Sequence, residues 1–214
     1  MKDKIVLFDF DGTLLYTIPD LADAVNHGLA MYGYPTHDYA TVQTFVGNGV
    51  RLLVSRAIPG GESNSDFEAV FAAFNAYYDV HCLDKTGPYE GIMELLAALH
   101  EKEVKMAIVT NKYQSAAEEL RVRFFGEYIP IIEGDVEGRE RKPSPAPVMA
   151  AMKALGAEGK RAVYIGDTEV DMATAQNSGL DFIAVAWGYR SLQQLNDLGI
   201  EKIAHKPMDV LNLI

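Results

Sequence analysis

The sequence predicts an α/β fold, a parallel sheet with helices on both faces, interrupted after its first strand by an inserted helical domain. Two observations carry this expectation. Over most of the 214 residues, short apolar runs that end in polar residues alternate with segments of helical periodicity. Strands buried on both faces, joined by crossover helices, produce that pattern. Residues 16–85 carry helical signals only.

In chain order, residues 4–9 form a continuous apolar run closed by Asp9, as a fully buried strand would. The helical segment follows. Pro59-Gly60-Gly61 punctuates it, and Ser65 and Glu68 then have the spacing of a capping box. Phe67, Val70, Phe71, Phe74 and Tyr77 repeat at helical spacing, which predicts an internal core stripe rather than a ligand surface. Thr86-Gly87-Pro88 returns the chain to the α/β part, so the predicted division is 1–15 with 86–214 against 16–85. Strand-like runs at 105–110, 162–167 and 181–185 then alternate with helical patterns at 91–102, 114–124, 145–155 and 169–178. Gly156 and Gly179 follow two of these helices, where a left-handed residue is expected.

With 49% hydrophobic and 23% charged residues, the composition is that of a soluble globular protein. No apolar run is long enough for a bilayer span. Asp3 stands where a signal segment carries positive charge. The single cysteine, Cys82, excludes an intrachain disulfide and reads as a small buried hydrophobe. A cytoplasmic protein is expected, as a monomer or weak homodimer, since nothing resembles a coiled coil. The net charge of −11 argues against nucleic acid as a partner. It also repels a phosphorylated substrate at long range, unless the site supplies local positive charge.

The chemistry gathers at the carboxyl ends of the predicted strands, where open α/β sheets bind ligands. The first run ends in Asp9 and Asp11, the second in Thr110 and Asn111, the third in Asp167, with Asp171 four residues on. Residues two apart on an extended chain face one side, and residues four apart at a helix start share a face. Each pair alone also fits a helix cap or a solvated turn. Together, up to four carboxylates converge. Like charges ~4 Å apart repel by roughly 4 kcal/mol at an effective dielectric of about 20, so such a cluster calls for a cation. Oxygen ligands without His or Cys suit Mg²⁺. Lys142, in Lys142-Pro143-Ser144-Pro145, is a second source of positive charge, its backbone restricted by the two prolines. Gly12 permits close backbone approach, and the amides of residues 10–13 can cradle an anion.

These segments resemble the four motifs of the haloacid dehalogenase superfamily, in the family order: Asp9-Phe10-Asp11-Gly12-Thr13, Thr110-Asn111, Lys142-Pro143, and Gly166-Asp167-Thr168-Glu169-Val170-Asp171. The resemblance covers the whole chain. It implies a Rossmann-like core with a helical cap inserted after strand one. It further implies that Asp9 is a nucleophile forming an aspartyl-phosphate, and that Asp11 is the acid for the leaving alcohol and then the base for water. By the same resemblance Thr110 and Lys142 bind the transferring phosphoryl group. Mg²⁺ would sit on Asp9, the Asp11 carbonyl and Asp167, with Asp171 in support. Gly12, Thr13 and Asn111 would line the phosphate site.

Within the superfamily, residues 19–26 and Val46-Gly47-Asn48-Gly49-Val50-Arg51 are similar to the phosphoglycolate phosphatase group. The resemblance implies a small phosphorylated metabolite as substrate, phosphoglycolate first, with Asn48 and Arg51 as cap contacts. Arg51 could read a carboxylate bidentately; as an exposed helix residue it would do nothing of the kind. The chain departs from these relatives at Tyr16-Thr17, where they carry an Asp-Ser or Asp-Thr pair. Rival readings are a sugar-phosphate mutase, another small-molecule phosphatase or pyrophosphatase, a dehalogenase, and a phosphoryl-accepting receiver module. A dehalogenase has no leaving alcohol to protonate, so Asp11 would be idle in one. Receiver modules are shorter and lack the insertion.

Overall fold

The computed structural model describes residues 4–214; Asp3 lies outside the described residues. In chain order the elements are β1 (Ile5–Phe8), β2 (Leu15–Tyr16), α1 (Ile18–Met31), α2 (Tyr39–Phe45), α3 (Val50–Ala57), a 3₁₀ turn (Gly61–Ser63) and α4 (Phe67–His81). Then come β3 (Gly87–Pro88), α5 (Ile92–Glu101), β4 (Lys105–Tyr113), α6 (Gln114–Phe125), β5 (Ile131–Asp135), α7 (Ala146–Ala154) and β6 (Val163–Gly166). The chain closes with α8 (Glu169–Asn177), β7 (Asp181–Val185), α9 (Leu192–Asp197), β8 (Ile203–Ala204), a second 3₁₀ turn (Pro207–Asp209) and α10 (Val210–Leu213). The chain divides into two compact units, one of residues 4–15 with Pro88–Ile214 and one of Tyr16–Gly87. None of the described helices is long and apolar enough to cross a membrane.

The larger unit is a Rossmann-like sheet of six parallel strands in the order β5-β4-β1-β6-β7-β8. The chain runs outward from β1 through β4 to β5, then returns to the other side of β1 at β6. The order therefore reverses beside β1, and a crevice opens at the carboxyl ends there. Phe8 lies level with Ile108 on one side and Ile165 on the other, so Asp9, Thr110 and Asp167 all emerge at one edge. Continuous burial explains the apolar runs: all four residues of β1 and of β6 are buried. Ile5 and Leu7 pack with Ala107, Val109, Val148 and Tyr164 in one core. Gly156 and Gly179 are left-handed, with φ of 59° and 67°.

The smaller unit has its own core, built by Leu21, Val25, Leu29, Leu53, Phe67, Val70, Phe74 and Tyr78, with Cys82 buried among them. Of the predicted stripe, Phe67, Val70 and Phe74 are buried, Phe71 and Tyr77 are half-buried against the same core, and Tyr78 completes it. The predicted capping box does not form: α4 starts at Phe67 with Asp66 as N-cap and no side-chain cap bond. Its acidic half is spent elsewhere. Asn64 Oδ1 accepts the Asp66 N–H, and Glu68 turns to Arg51.

Asp20, in the first turn of α1 and 2% exposed, closes this unit on itself. Its carboxylate accepts the backbone N–H groups of Lys85 (3.0 Å) and Thr86 (2.8 Å), more than sixty residues away in sequence. Asp20→Ala leaves those amides without the carboxylate and is expected to cost about 1–3 kcal/mol. A lower urea midpoint at unchanged slope is the measurement.

Candidate active site

Asp9 follows the last residue of β1, and its own N–H bonds to the Ile165 carbonyl of β6 (2.8 Å), so the backbone of two strands fixes where its carboxylate begins. Asp167 follows the last residue of β6. Three glycines make room around these acids. A Cβ on Gly12 would lie 2.5 Å from Asp167 Oδ2, and one on Gly188 would lie 2.2 Å from Asp167 Cβ. Gly12 also holds φ of 94°, open mainly to glycine. The space expected there for a ligand is taken by the Asp167 carboxylate. A Cβ on Gly166 would meet Asp171 Cβ at 2.3 Å.

Thr168 caps α8 with Asp171 in a reciprocal capping box. Asp171 is therefore the most heavily bonded of the acids. Its Oδ2 accepts the N–H groups of Asp167 and Thr168 and the Thr168 hydroxyl, and its Oδ1 accepts Lys142 Nζ at 2.7 Å. Lys142 Nζ also donates to Asp9 Oδ1 (2.6 Å) and to the Tyr164 hydroxyl (3.1 Å), which itself donates a hydrogen bond to the Val109 carbonyl. The Lys142–Pro143 bond is cis.

Three residues expected to contact the substrate hold partners within the protein. Asn111 was expected on the substrate; both ends of its amide instead bind the Lys142 backbone, N–H to Oδ1 at 2.9 Å and Nδ2 to the carbonyl at 3.1 Å. It aims the lysine. Thr13, 1% exposed, turns its hydroxyl inward to Asp167 Oδ1 (3.3 Å), and its carbonyl accepts Trp187 Nε1–H. Arg51 sits in the smaller unit with Glu62 and Glu68 already on its guanidinium and Phe67 beneath it, so carboxylates of the protein itself occupy the fork meant for a substrate. Asn48 lies half-buried in the loop between α2 and α3. Of the expected anion cradle at residues 10–13, the Gly12 amide is turned back onto the Leu15 carbonyl.

Thr110 is buried, and its Oγ1 accepts the Lys112 N–H. The register of β4 against β5 shifts between Val109 and Tyr113, so Thr110, Asn111 and Lys112 lie where the strand is irregular and side chains are re-aimed. This irregularity brings in a residue that sequence reasoning passed over. Lys112 Nζ donates to Asp11 Oδ1 at 2.9 Å, with only 4% of its side chain exposed. Its signal was its place two residues beyond Thr110 in one strand. Tyr164 and Thr168 were also missed; a hydroxyl within a fully apolar strand and a Thr three residues before Asp171 were their signals.

Carboxylate oxygens of Asp9, Asp167 and Asp171 lie within 4.8 Å of one another, all buried. Burial first, and then the charge of Asp171, push the Asp9 carboxyl up to about 7, against the pull of Lys142. Burial and the same neighbours hold Asp167 well above the usual carboxylate range, while the Tyr189 N–H on Oδ2 opposes them. Burial alone would lower the Lys142 ammonium, but Asp171 and Asp9 together hold it well above its ordinary value. One buried cation thus does not satisfy three acids. An all-oxygen, under-neutralised set of this kind fits a hard divalent cation, which Asp9 and Asp167 would hold with Asp171 behind them.

A pH dependence follows for the metal-free protein. Asp9 has a folded pKa of about 7 against 3.8 for the ordinary group. Between those values the folded chain keeps a proton that the unfolded chain has released, so stability falls as pH rises from about 4 to about 7, by at most ~1.4 kcal/mol per unit. Melting temperatures across that range are expected to decline, and a saturating divalent cation to flatten the slope.

The model of the haloacid dehalogenase-like hydrolases matches residues 6–185. The chain belongs to this family. Phosphoglycolate phosphatase 1 of Pseudomonas aeruginosa is 36% identical over 193 residues, which cover 87% of this chain and 70% of that protein. The phosphoglycolate phosphatase of Psychrobacter arcticus is 33% identical over 208 residues, covering 92% and 90%. A crystal structure from Lactobacillus delbrueckii subsp. bulgaricus, of a protein provisionally named a phosphoglycolate phosphatase, superposes with a TM-score of 0.92 at 34% identity, over 98% of this chain and 97% of that one. Within the haloacid dehalogenase-like hydrolases, the chain is a phosphoric monoester hydrolase.

Proposed function

We propose that this hydrolase cleaves phosphoglycolate, with Mg²⁺, through an aspartyl-phosphate on Asp9. One observation carries the reading most directly: Asp9 stands at the strand-order reversal, gripped by Lys142 at 2.6 Å, with the acid Asp11 two residues further along. The similarity to named phosphoglycolate phosphatases supports the substrate. Residues 16–85 are read as the family's cap.

In the first step an Asp9 oxygen attacks phosphorus, the bond from phosphorus to the ester oxygen breaks, and Asp11 gives that oxygen its proton, releasing glycolate. In the second, the Asp11 carboxylate takes a proton from water, the resulting oxygen attacks phosphorus, and Asp9 leaves as carboxylate with inorganic phosphate. Lys142 and the Thr110 hydroxyl donate to the phosphoryl oxygens as charge shifts onto them. Asn111 keeps Lys142 in place throughout. A bound Mg²⁺ would supply positive charge that lets a dianionic phosphate approach ionised Asp9 and Asp167.

Inorganic phosphate released from phosphoglycolate is the test. Turnover is expected with Mg²⁺, to fall at least about 10²-fold on chelation, and to return on adding the ion back. Phosphoglycolate left intact while other small esters are cleaved would overturn the substrate. Turnover indifferent to chelation would overturn the metal.

A further inference from the structure

Between β7 and α9 the chain forms only turns and bends, yet it makes a run of contacts to the acidic site. The Trp187 indole N–H donates to the Thr13 carbonyl at 3.0 Å, and the Tyr189 N–H donates to Asp167 Oδ2 at 2.7 Å. Gly188, between them, lies so close that a Cβ there would stand 2.2 Å from Asp167 Cβ. Arg190 closes the run, its Nε and Nη2 on the two carboxylate oxygens of Glu169 at 2.8 and 2.9 Å. We propose that Arg190 is a positioning residue for the metal site, its fork on Glu169 pinning residues 187–190 so that Asp167 presents one oxygen to the cation; this rests on the divalent-cation reading above.

Asp167 Oδ2 is committed to the Tyr189 N–H at 2.7 Å, whereas Oδ1 has a longer contact, 3.3 Å, to the Thr13 hydroxyl. Oδ1 is therefore the oxygen more readily given to a cation, and the Tyr189 backbone decides which oxygen that is. A peptide N–H moves with its chain, and this chain is anchored on both sides. Before the segment, the Ala186 N–H bonds to the Ala204 carbonyl at 2.9 Å. After it comes the Arg190–Glu169 pair. Glu169 lies in the first turn of α8, the helix that carries Asp171. The pair thus ties the loop gripping one acid to the helix presenting another. Groups that orient metal ligands in this way govern affinity, since the ligand must be aimed before the ion arrives.

Position and charge act in opposite directions at Arg190, which makes them separable. A guanidinium close to the acids repels an incoming divalent cation, so by charge alone its removal tightens metal binding. Loss of an anchor for the Asp167 grip loosens it. Lysine divides the two effects further. It keeps the charge but lacks the planar fork that meets both Glu169 oxygens, so charge alone leaves affinity unchanged in Arg190→Lys and positioning lowers it. The segment also carries its own reporter. Trp187 is the sole tryptophan of the chain, so its emission reports this loop alone.

The test is a titration of the full chain with Mn²⁺, a hard cation suited to the same oxygen ligands, followed by the magnetic resonance signal of the free ion. Wild type, Arg190→Gln, Arg190→Lys, Glu169→Gln and Asp167→Asn are compared, each after its circular dichroism shows a folded chain. Kd is expected to rise ~10-fold or more in Arg190→Gln and in Glu169→Gln, and ~3-fold or more in Arg190→Lys. The double variant Arg190→Gln with Glu169→Gln should match Arg190→Gln within ~3-fold, because both changes break one contact. Trp187 emission of the metal-free Arg190→Gln and Glu169→Gln variants should shift to longer wavelength as the indole leaves Thr13. Arg190→Gln or Arg190→Lys binding Mn²⁺ as tightly as the wild type, or more tightly, overturns the positioning role. Weakened binding with Trp187 emission unmoved overturns it as well, since the loop would then not carry the effect. Wild-type binding that is absent, or that survives Asp167→Asn, overturns the metal reading and this proposal together.

Discussion

Asp9→Asn is expected to lower kcat/KM by at least about 10⁴-fold, roughly 5.4 kcal/mol of barrier, while the protein keeps its fold. The chemical reason is that an amide oxygen is a poor nucleophile at phosphorus, and a route through a covalent intermediate is not partly replaced by orientation. The physical reason for an intact fold lies in the balance of charges. In the metal-free protein, burial and Asp171 together outweigh the attraction of Lys142, since the carboxyl of Asp9 sits at about 7 rather than in the usual acid range. Ionised Asp9 is thus a net burden near neutral pH. A neutral amide of the same shape removes it, and Lys142 keeps its contact to Asp171. The metal-free variant is therefore expected to melt no lower than the wild type at pH 8, and its melting temperature to vary less with pH between about 4 and 7. A variant that is inactive because it is unfolded would show the reverse. Residual turnover within tenfold of the wild type would remove Asp9 from the chemistry altogether.

The parts that were legible in the sequence share a physical cause. A strand buried on both faces must be apolar along its length, so β1, β4, β6 and β7 stood out, and any acid at their ends was conspicuous. Asp9 and Asp167 were found because they break those runs where a sheet of this kind binds ligands, and Asp171 because it follows Asp167 by four residues at a helix start. The edge strand β5 was not found, because alternate residues of Ile131–Asp135 are buried and the strand carries Glu133 and Gly134. The short β8 has two residues and leaves no periodic signal.

What sequence could not show was where long polar side chains end. Lys112 among Asn111 and Tyr113 reads as a solvated turn; only the strand irregularity and the approach of Asp11, 101 residues away, make it a buried ion pair. Arg51 reads as available until Glu62 and Glu68 are brought to it by the 3₁₀ turn and α4. Thr13 and Asn111 belong to motifs that touch ligands by resemblance, yet here their side chains serve neighbouring residues of the site. A motif places a backbone at a site, and packing then decides which side chains face inward.

Lys142→Met is expected to be costly in both stability and rate. Methionine matches the lysine's four-atom stem and lacks the ammonium, so the change removes chiefly the charge. Asp9 and Asp171, 6% and 0% exposed, lose their shared cation, and the Tyr164 hydroxyl loses a donor. Removing one partner of a buried ion pair typically costs about 3–5 kcal/mol, because the carboxylate left behind stays desolvated without compensation. For a chain of this size that is a fall of roughly 6–20 °C in melting temperature. Two further measurements separate charge from shape. Lys142→Met with Asp171→Asn removes one of the stranded acids and is expected to recover part of the stability, so the two changes couple instead of adding. The double variant should remain inactive, by at least about 10³-fold, because the donor to the phosphoryl oxygens is still missing. Recovery of activity along with stability would mean that Lys142 only neutralises its neighbours. Additivity of the two stability changes would mean that the contacts at 2.6 and 2.7 Å do not hold the site together.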